Sequence, residues 1–173
     1  MNKEYKIVDN YLFFLTGWLS QWYKSEFNEF GQRFVNCEQY MMYSKARLFN
    51  DAEVAAEILI AKNPAEHKQL GRMVRNFNQE LWNKYKFDIV YRGNYLKFSQ
   101  NEELGNLLKA TGNYELVEAN KEDMIWGIGM YDDDPNLMKK ELWGENLLGK
   151  ALMNVRQDIN CQCNLERKEK NDR

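Results

Sequence analysis

The pattern of the chain changes between Val35 and Cys37, and that change limits the fold class more than any other feature. Before it, Tyr5 to Val35 is rich in aromatics and lacks helical periodicity: Leu12-Phe13-Phe14-Leu15, then Gly17, then Leu19-Ser20-Gln21-Trp22-Tyr23. Short strands and loops fit such a stretch. Phe27 to Val35 predicts a hairpin, with Gly31-Gln32 at the turn and Phe30 and Phe34 flanking it. After it, Cys37 to Phe49 places Glu38, Met41, Met42 and Lys45 at offsets of three, four and seven, which puts them on one stripe of a helix.

Helical signals then continue. Asn50 with Glu53 predicts a cap for a short helix through Ala61, and Asn63-Pro64-Ala65-Glu66 opens another that ends near Gly71. A long helix is expected from about Gln79 to Phe98, burying Leu81, Trp82, Tyr85, Ile89 and Leu96, with Gly93 as a weak point or a close-packing site. Ser99 and Glu102 predict a capping box for a helix with Leu104, Leu107 and Leu108 that stops at Gly112. Tyr114 to Ala119 reads as a strand and Ile125-Trp126 as a strand-like pair. Asn146 is expected to cap a final helix that buries Leu148, Ala151, Leu152, Val155 and Ile159. The class is α+β, mostly helical, with a small sheet built from the amino-terminal region and from Tyr114 to Ile128.

At 173 residues the chain has the size of one domain. No internal repeat or linker divides it, so a single domain over 1–163 is expected. A charged tail from Asn164 to Arg173 follows, expected to be solvated and disordered. The longest apolar runs fall far short of a membrane span, and no secretion signal opens the chain; a cytosolic protein is expected. Cys37, Cys161 and Cys163 give an odd count without C-x-x-C spacing, which argues against a disulfide framework and a zinc site. A net charge of −2 supplies no global field for nucleic acid.

The chemistry is bounded first by what is missing. The single histidine, His67, sits between Glu66 and Lys68 and reads as a surface residue. There is no phosphate loop and no dinucleotide fingerprint, since Gly127-Ile128-Gly129 is too short to be one. Asp132-Asp133-Asp134 before Pro135 reads as a solvated turn. Carboxylates with aromatic walls remain. Glu38 opens a helix whose other inward positions are methionines, which suits an acid or base with a raised pKa. Lys45 lies about 10 Å further along that helix at 1.5 Å per residue. The same residues also fit a bland account in which Glu38 favours the positive helix end and Lys45 is solvated. In Glu118 to Gly129, Asp123, Trp126, Gly127 and Gly129 combine acid, aromatic and backbone open to close approach; Asp123 alternatively caps a turn, and Trp82, Trp126 and Trp143 fill core.

Several short motifs recur together: Cys37-Glu38-Gln39-Tyr40-Met41-Met42 with Lys45-Ala46, Leu70-Gly71-Arg72, Leu81-Trp82, Lys97-Phe98, and Thr111-Gly112. Leu116-Val117-Glu118-Ala119, Asp123-x-x-Trp126-Gly127-x-Gly129 and Asn146-Leu147-Leu148-Gly149 through Val155-Arg156 complete the series. In this order and spacing the chain, over roughly Leu12 to Asp158, resembles the YbiA-like family, also called NADAR for its association with NAD and ADP-ribose metabolism. The resemblance implies an N-glycosidase that hydrolyses the bond between ribose C1 and a nitrogen. Its substrates would be phosphoribosylamino-pyrimidine intermediates of riboflavin biosynthesis or, in other branches, ADP-ribosylated guanine, with nucleic acid only as carrier of the modified base.

The resemblance places the functional acid at Glu38, a tryptophan at Trp82, and the Asp-x-x-Trp pair at Asp123 and Trp126. Lys45, Arg72 and Asn146 match positions expected to line the pocket. Glu38 is then the expected base, Asp123 the group that holds ribose hydroxyls or shares the proton work, Trp82 and Trp126 the stacking walls, and Lys45 and Arg72 the phosphate holders. No metal or organic cofactor is required by this chemistry. Leu19-Ser20-Gln21-Trp22 departs from a Phe-Ser-Asn-Phe-like run, so Gln21 presents a longer polar side chain, and the Asp132 to Pro135 region differs from shorter members. A non-catalytic reader of ADP-ribose or a nucleotide is the alternative of different class.

Overall fold

The computed structural model describes the backbone of residues 4–171 and the side chains of residues 4–161. The chain forms two units: one takes the residues up to Ser20 together with those from Glu102 onward, the other is Gln21–Asn101.

In the first unit, β1 (Tyr5–Val8) and β2 (Tyr11–Phe14) pair antiparallel around a turn where Asp9 takes φ 52°, a left-handed conformation that aspartate tolerates. β5 (Glu115–Glu118) lies parallel to β2 with Leu12 opposite Leu116 and Phe13 opposite Val117. A parallel neighbour needs a crossover, and its last piece is α5 (Glu102–Ala110), which has two acids in its first turn and Lys109 in its last. The final helix, α6 (Leu147–Asn171), buries Leu148, Ala151, Leu152, Val155 and Ile159, the stripe expected from the sequence. Phe13, Val117, Ala119, Ile128, Met130 and Leu137 form one core cluster, with Trp143 packed on it. The Trp143 ring stands edge-on to Phe13 and Tyr11.

The second unit begins with a hairpin of β3 (Phe27–Glu29) and β4 (Gln32–Phe34). α1 (Cys37–Leu48) is capped by Asn36, whose side chain accepts from Gln39 N–H, and buries Cys37, Glu38, Gln39, Tyr40, Met41, Met42 and Ala46. So many buried positions mark a central helix, polar residues included. α2 (Ala52–Ile60), α3 (Pro64–Arg72) and α4 (Gln79–Gln100) follow. Asn63 caps α3 with Pro64 in the first turn, as expected. Gly93 proves to be a close-packing site, since a Cβ there would stand 2.6 Å from Tyr40 Cδ1.

Local expectations shift in several places. The hairpin turn is Phe30-Gly31, both with positive φ (47° and 83°), because a two-residue loop of that geometry matches the twist of its strands. Asp51, not Asn50, caps α2 and accepts from Val54 N–H. Ser99 lies inside α4 and turns back to the Leu96 carbonyl instead of opening α5. Leu81 and Tyr85 are exposed on α4 while Trp82 and Leu96 are buried. Ile125-Trp126 forms loop rather than strand. The α6 backbone continues through Asn171, and the side chains on which the expected tail 164–173 depends lie outside the described residues.

His67 is buried, not a surface residue. Its Nε2 lies 3.2 Å from the Ala61 carbonyl, which can only accept, so the ring donates there and Nδ1 is bare with no partner among the described residues. Burial, the largest cause, lowers its pKa. The folded state therefore disfavours the proton that the unfolded chain takes up near pH 6.5. Stability is expected to be fullest above that pH and to fall as pH drops toward the lowered value; urea midpoints at pH 7.5 and 5.5 check this, and His67→Gln should flatten the difference.

Candidate functional site

In the Gln21–Asn101 unit, Glu38 sits one residue into α1 and is buried at 6% exposure. Its own N–H is held by the Gln21 carbonyl at 3.1 Å. Gln21 is itself buried: its amide accepts from Asn94 Nδ2 at 2.8 Å and reaches Met41 Sδ at 3.6 Å. The extra length of Gln21 is thus directed into the interior. Asn94 also meets the Cys37 thiol through Oδ1 and donates to the Val90 carbonyl. Burial pushes the Cys37 thiol up to about 11, opposed by Lys97 and aided by Glu38. Lys97 is fully buried, and burial brings its amine down to about 8. Glu38 therefore stands at the edge of a buried polar cluster of Gln21, Cys37, Asn94 and Lys97.

At the other end of α1, Lys45 donates to the Gly71 carbonyl at 2.7 Å. Its Nζ lies 4.5 Å from the Phe77 ring centre and 5.6 Å from that of Trp82, within cation–π range. Burial and then the Arg72 guanidinium lower its pKa. Neither Lys45 nor Arg72 has an ion pair with an acidic side chain among the described residues. The structure thus brings Lys45 of α1, the helix that carries Glu38, together with Arg72 at the end of α3 and Trp82 of α4.

In the other unit, Asp123, Trp126, Gly127 and Asn146 share one loop assembly. Asp123 Oδ1 accepts from the Ile125 and Trp126 N–H groups at 2.8 and 2.7 Å, the turn-capping arrangement. Five successive N–H groups, from Gly144 to Leu148, donate to the carbonyls of Ile128, Met124, Gly127, Ile125 and Trp126. The loop thereby satisfies N–H groups at the start of α6 that would otherwise be orphaned. Asn146 is consequently not needed as a side-chain cap: its Oδ1 accepts from Glu118 N–H and its Nδ2 donates to the Leu116 carbonyl, tying the helix entry to β5. Gly127 packs closely, since a Cβ would stand 2.8 Å from the Glu118 carbonyl. Asp132 to Pro135 is a turn in which Asp134 N–H donates to the Tyr131 carbonyl.

The NADAR domain matches residues 13–160. The chain belongs to the NADAR family. The viral "N-glycosidase R617" of Acanthamoeba polyphaga mimivirus is 46% identical over 145 residues, covering 80% of this chain and 85% of that one. "N-glycosidase YbiA" of Escherichia coli is 29% identical over 117 residues, 68% of this chain and 67% of that one. The NMR structure of E. coli YbiA superposes with TM-score 0.73 at 25% identity, covering 93% of this chain and 91% of the other. A "Riboflavin biosynthesis protein PYRR, chloroplastic" of Zea mays is 35% identical over 111 residues, 62% of this chain but 16% of that protein. The NADAR fold and its α+β class are those expected from the sequence. Among the described residues, no helix is long and apolar enough to cross a membrane.

Residues beyond the motifs also shape this part of the NADAR chain. Phe77 meets Lys45, and its ring packs 5.1 Å from that of Phe49. Asp51 accepts from Arg75 through the backbone N–H and the guanidinium, which holds its carboxyl far below the usual range. The sequence signal for Asp51 was its position just before Ala52-Glu53, one residue past the cap that was expected; for Phe77 there was none beyond its being aromatic.

Proposed function

We propose that this NADAR protein is an N-glycosidase that hydrolyses the ribose C1–N bond of a phosphoribosylamino-pyrimidine. The observation that carries the reading is Glu38, a carboxylate buried at 6% exposure on the same helix as an unneutralised lysine beside an arginine. Relatives named N-glycosidase support the bond class, and the riboflavin-biosynthesis name of a maize relative supports the pyrimidine.

Cleavage of such a bond develops an oxocarbenium-like ribose, which a nearby carboxylate stabilises while drawing a proton from attacking water. Glu38 takes that role. Water adds to C1, its proton passes to the carboxylate, and the C1–N pair leaves with the base nitrogen, which is protonated in turn. Lys45 and Arg72 hold the phosphate, the guanidinium in bidentate fashion, and Trp82 supplies an apolar wall. An ADP-ribosyl-guanine would meet the same chemistry and is the second substrate to test. Incubation with the pyrimidine intermediate, ADP-ribosyl-guanosine and ADP-ribosylated DNA, read by mass spectrometry, decides among them: the proposal expects fastest release from the pyrimidine, and exclusive release of ADP-ribose would overturn it.

Asp123 is proposed to bear on turnover as well as on its loop. Asp123→Asn keeps an acceptor for the Ile125 and Trp126 amides but removes the charge. It should lower kcat at least about tenfold with Tm unchanged; unchanged kcat would confine Asp123 to its loop.

A further inference from the structure

Two cations set side by side without a counter-charge are electrostatically unfavourable, and Lys45 beside Arg72 is such a pair among the described residues. An anion relieves the repulsion. What distinguishes this cation pair from any surface patch is its aromatic flank. Phe77 keeps 42% of its surface exposed, although its ring touches both Lys45 Nζ and the Phe49 ring. The Lys45 ammonium lies over one face of this ring, so a planar ligand would meet the part of it that stays exposed.

The ring is clamped through the chain around it. Phe77 ends the short segment between α3 and the α4 cap, Asn78, whose side chain accepts from Leu81 N–H. Two residues before Phe77, Arg75 is fixed to the buried Asp51 carboxylate by its backbone N–H at 2.9 Å and by its guanidinium. Asn76 between them takes φ 56°. The segment is thus anchored on both sides of the aromatic ring. A groove of about 690 Å³ adjoins this segment, lined among others by Phe49, Asn76, Asn78, Glu80 and Lys84 but not by Phe77, Lys45 or Arg72 themselves.

We propose that Phe77 is a specificity-determining residue whose exposed ring, with Lys45 and Arg72, forms a shelf for a nucleoside phosphate, the flat base on the ring and the phosphate on the cations. The inference rests on the phosphate role assigned to Lys45 and Arg72 above, and adds to it a residue and a reason for preferring a phosphate carried next to a planar group. Stacking tolerates many bases, so the shelf selects for a base with a phosphate and not for one base. Asp51 and Arg75 act as positioning residues for it.

Calorimetry with adenosine 5′-monophosphate, adenosine and inorganic phosphate tests the shelf without requiring turnover. The monophosphate should bind, with adenosine and phosphate each weaker by at least about tenfold, because each engages one half of the shelf. Phe77→Leu keeps apolar packing on Phe49 but removes the π-face; it should weaken monophosphate binding about tenfold with Tm unchanged, and Phe77→Tyr should restore it. Equal binding of monophosphate and inorganic phosphate, or wild-type affinity in Phe77→Leu, would overturn the shelf. Glycoside turnover without monophosphate binding would also overturn it while leaving the hydrolase reading intact; monophosphate binding lost in Phe77→Leu, but with no turnover of any glycoside, would sustain the shelf and sink the hydrolase.

Discussion

Glu38→Gln is expected to lower kcat by about 10²–10⁴-fold, the usual range for removing a general base, while the protein stays folded. Gln keeps the size of the side chain, and the hydrogen bond from the residue 38 N–H to the Gln21 carbonyl does not depend on the side chain. What disappears is the negative charge. A second readout confirms that the loss is local and electrostatic: Glu38 helps to raise the Cys37 thiol, so Cys37 should titrate at lower pH in the variant than its present value of about 11. Full activity in Glu38→Gln, with Cys37 shifted, would show that the carboxylate is present but is not the base.

The largest stability effect is expected at Gly149, in the first turn of α6. A Cβ there would run into the Leu116 carbonyl and stand 2.6 Å from Asn146 Nδ2. Both obstacles are fixed, since the Leu116 carbonyl accepts from Asn146 Nδ2 and the Asn146 Oδ1 accepts from Glu118 N–H. Overpacking against backbone cannot relax by rotating a side chain. Gly149→Ala should therefore cost about 3 kcal/mol or more, lowering Tm by roughly 6–12 °C in a chain of this size. Gly71→Ala is the matched comparison: there the Cβ would meet the Met42 side chain, which is flexible, so about 1 kcal/mol is expected. Equal Tm losses in the two variants would refute the distinction between rigid and yielding neighbours.

Periodic segments were the most legible part of the fold. The stripe from Leu148 to Ile159 and the Asn63-Pro64 opening of α3 follow from local chemistry, because spacing fixes which side chains share a face and which residue caps. Where local signals competed, tertiary partners decided. Asp51 outranked Asn50 as cap because Arg75, distant in sequence, pairs with it. His67 was legible as helical but not as buried, since its partner is the carbonyl of Ala61 outside its helix.

The motif residues show the same division. Spacing puts Glu38 and Lys45 on one helix stripe, while Arg72 and Trp82 are expected beside them only through the family resemblance; Lys45, Arg72 and Trp82 meet in one cluster. Glu118 to Gly129 drew notice as a loop rich in acid, aromatic and glycine. Its backbone role, receiving the N–H groups at the entry to α6, has no signature in side-chain identity, because carbonyls do that work and every residue has one. Phe77 went unmarked because an isolated exposed aromatic in a polar segment shows nothing until Lys45 is seen against its ring.

The central claim is that this chain breaks a ribose C1–N bond catalytically. A mass-spectrometric time course of the wild-type protein with the phosphoribosylamino-pyrimidine tests it most directly. The account predicts free pyrimidine and ribose 5-phosphate in equal amounts, with many of each released per protein molecule. Saturable binding with no product over long incubation, for this substrate and for the ADP-ribosyl-guanine alike, would contradict it and leave a protein that reads nucleotides without cleaving them.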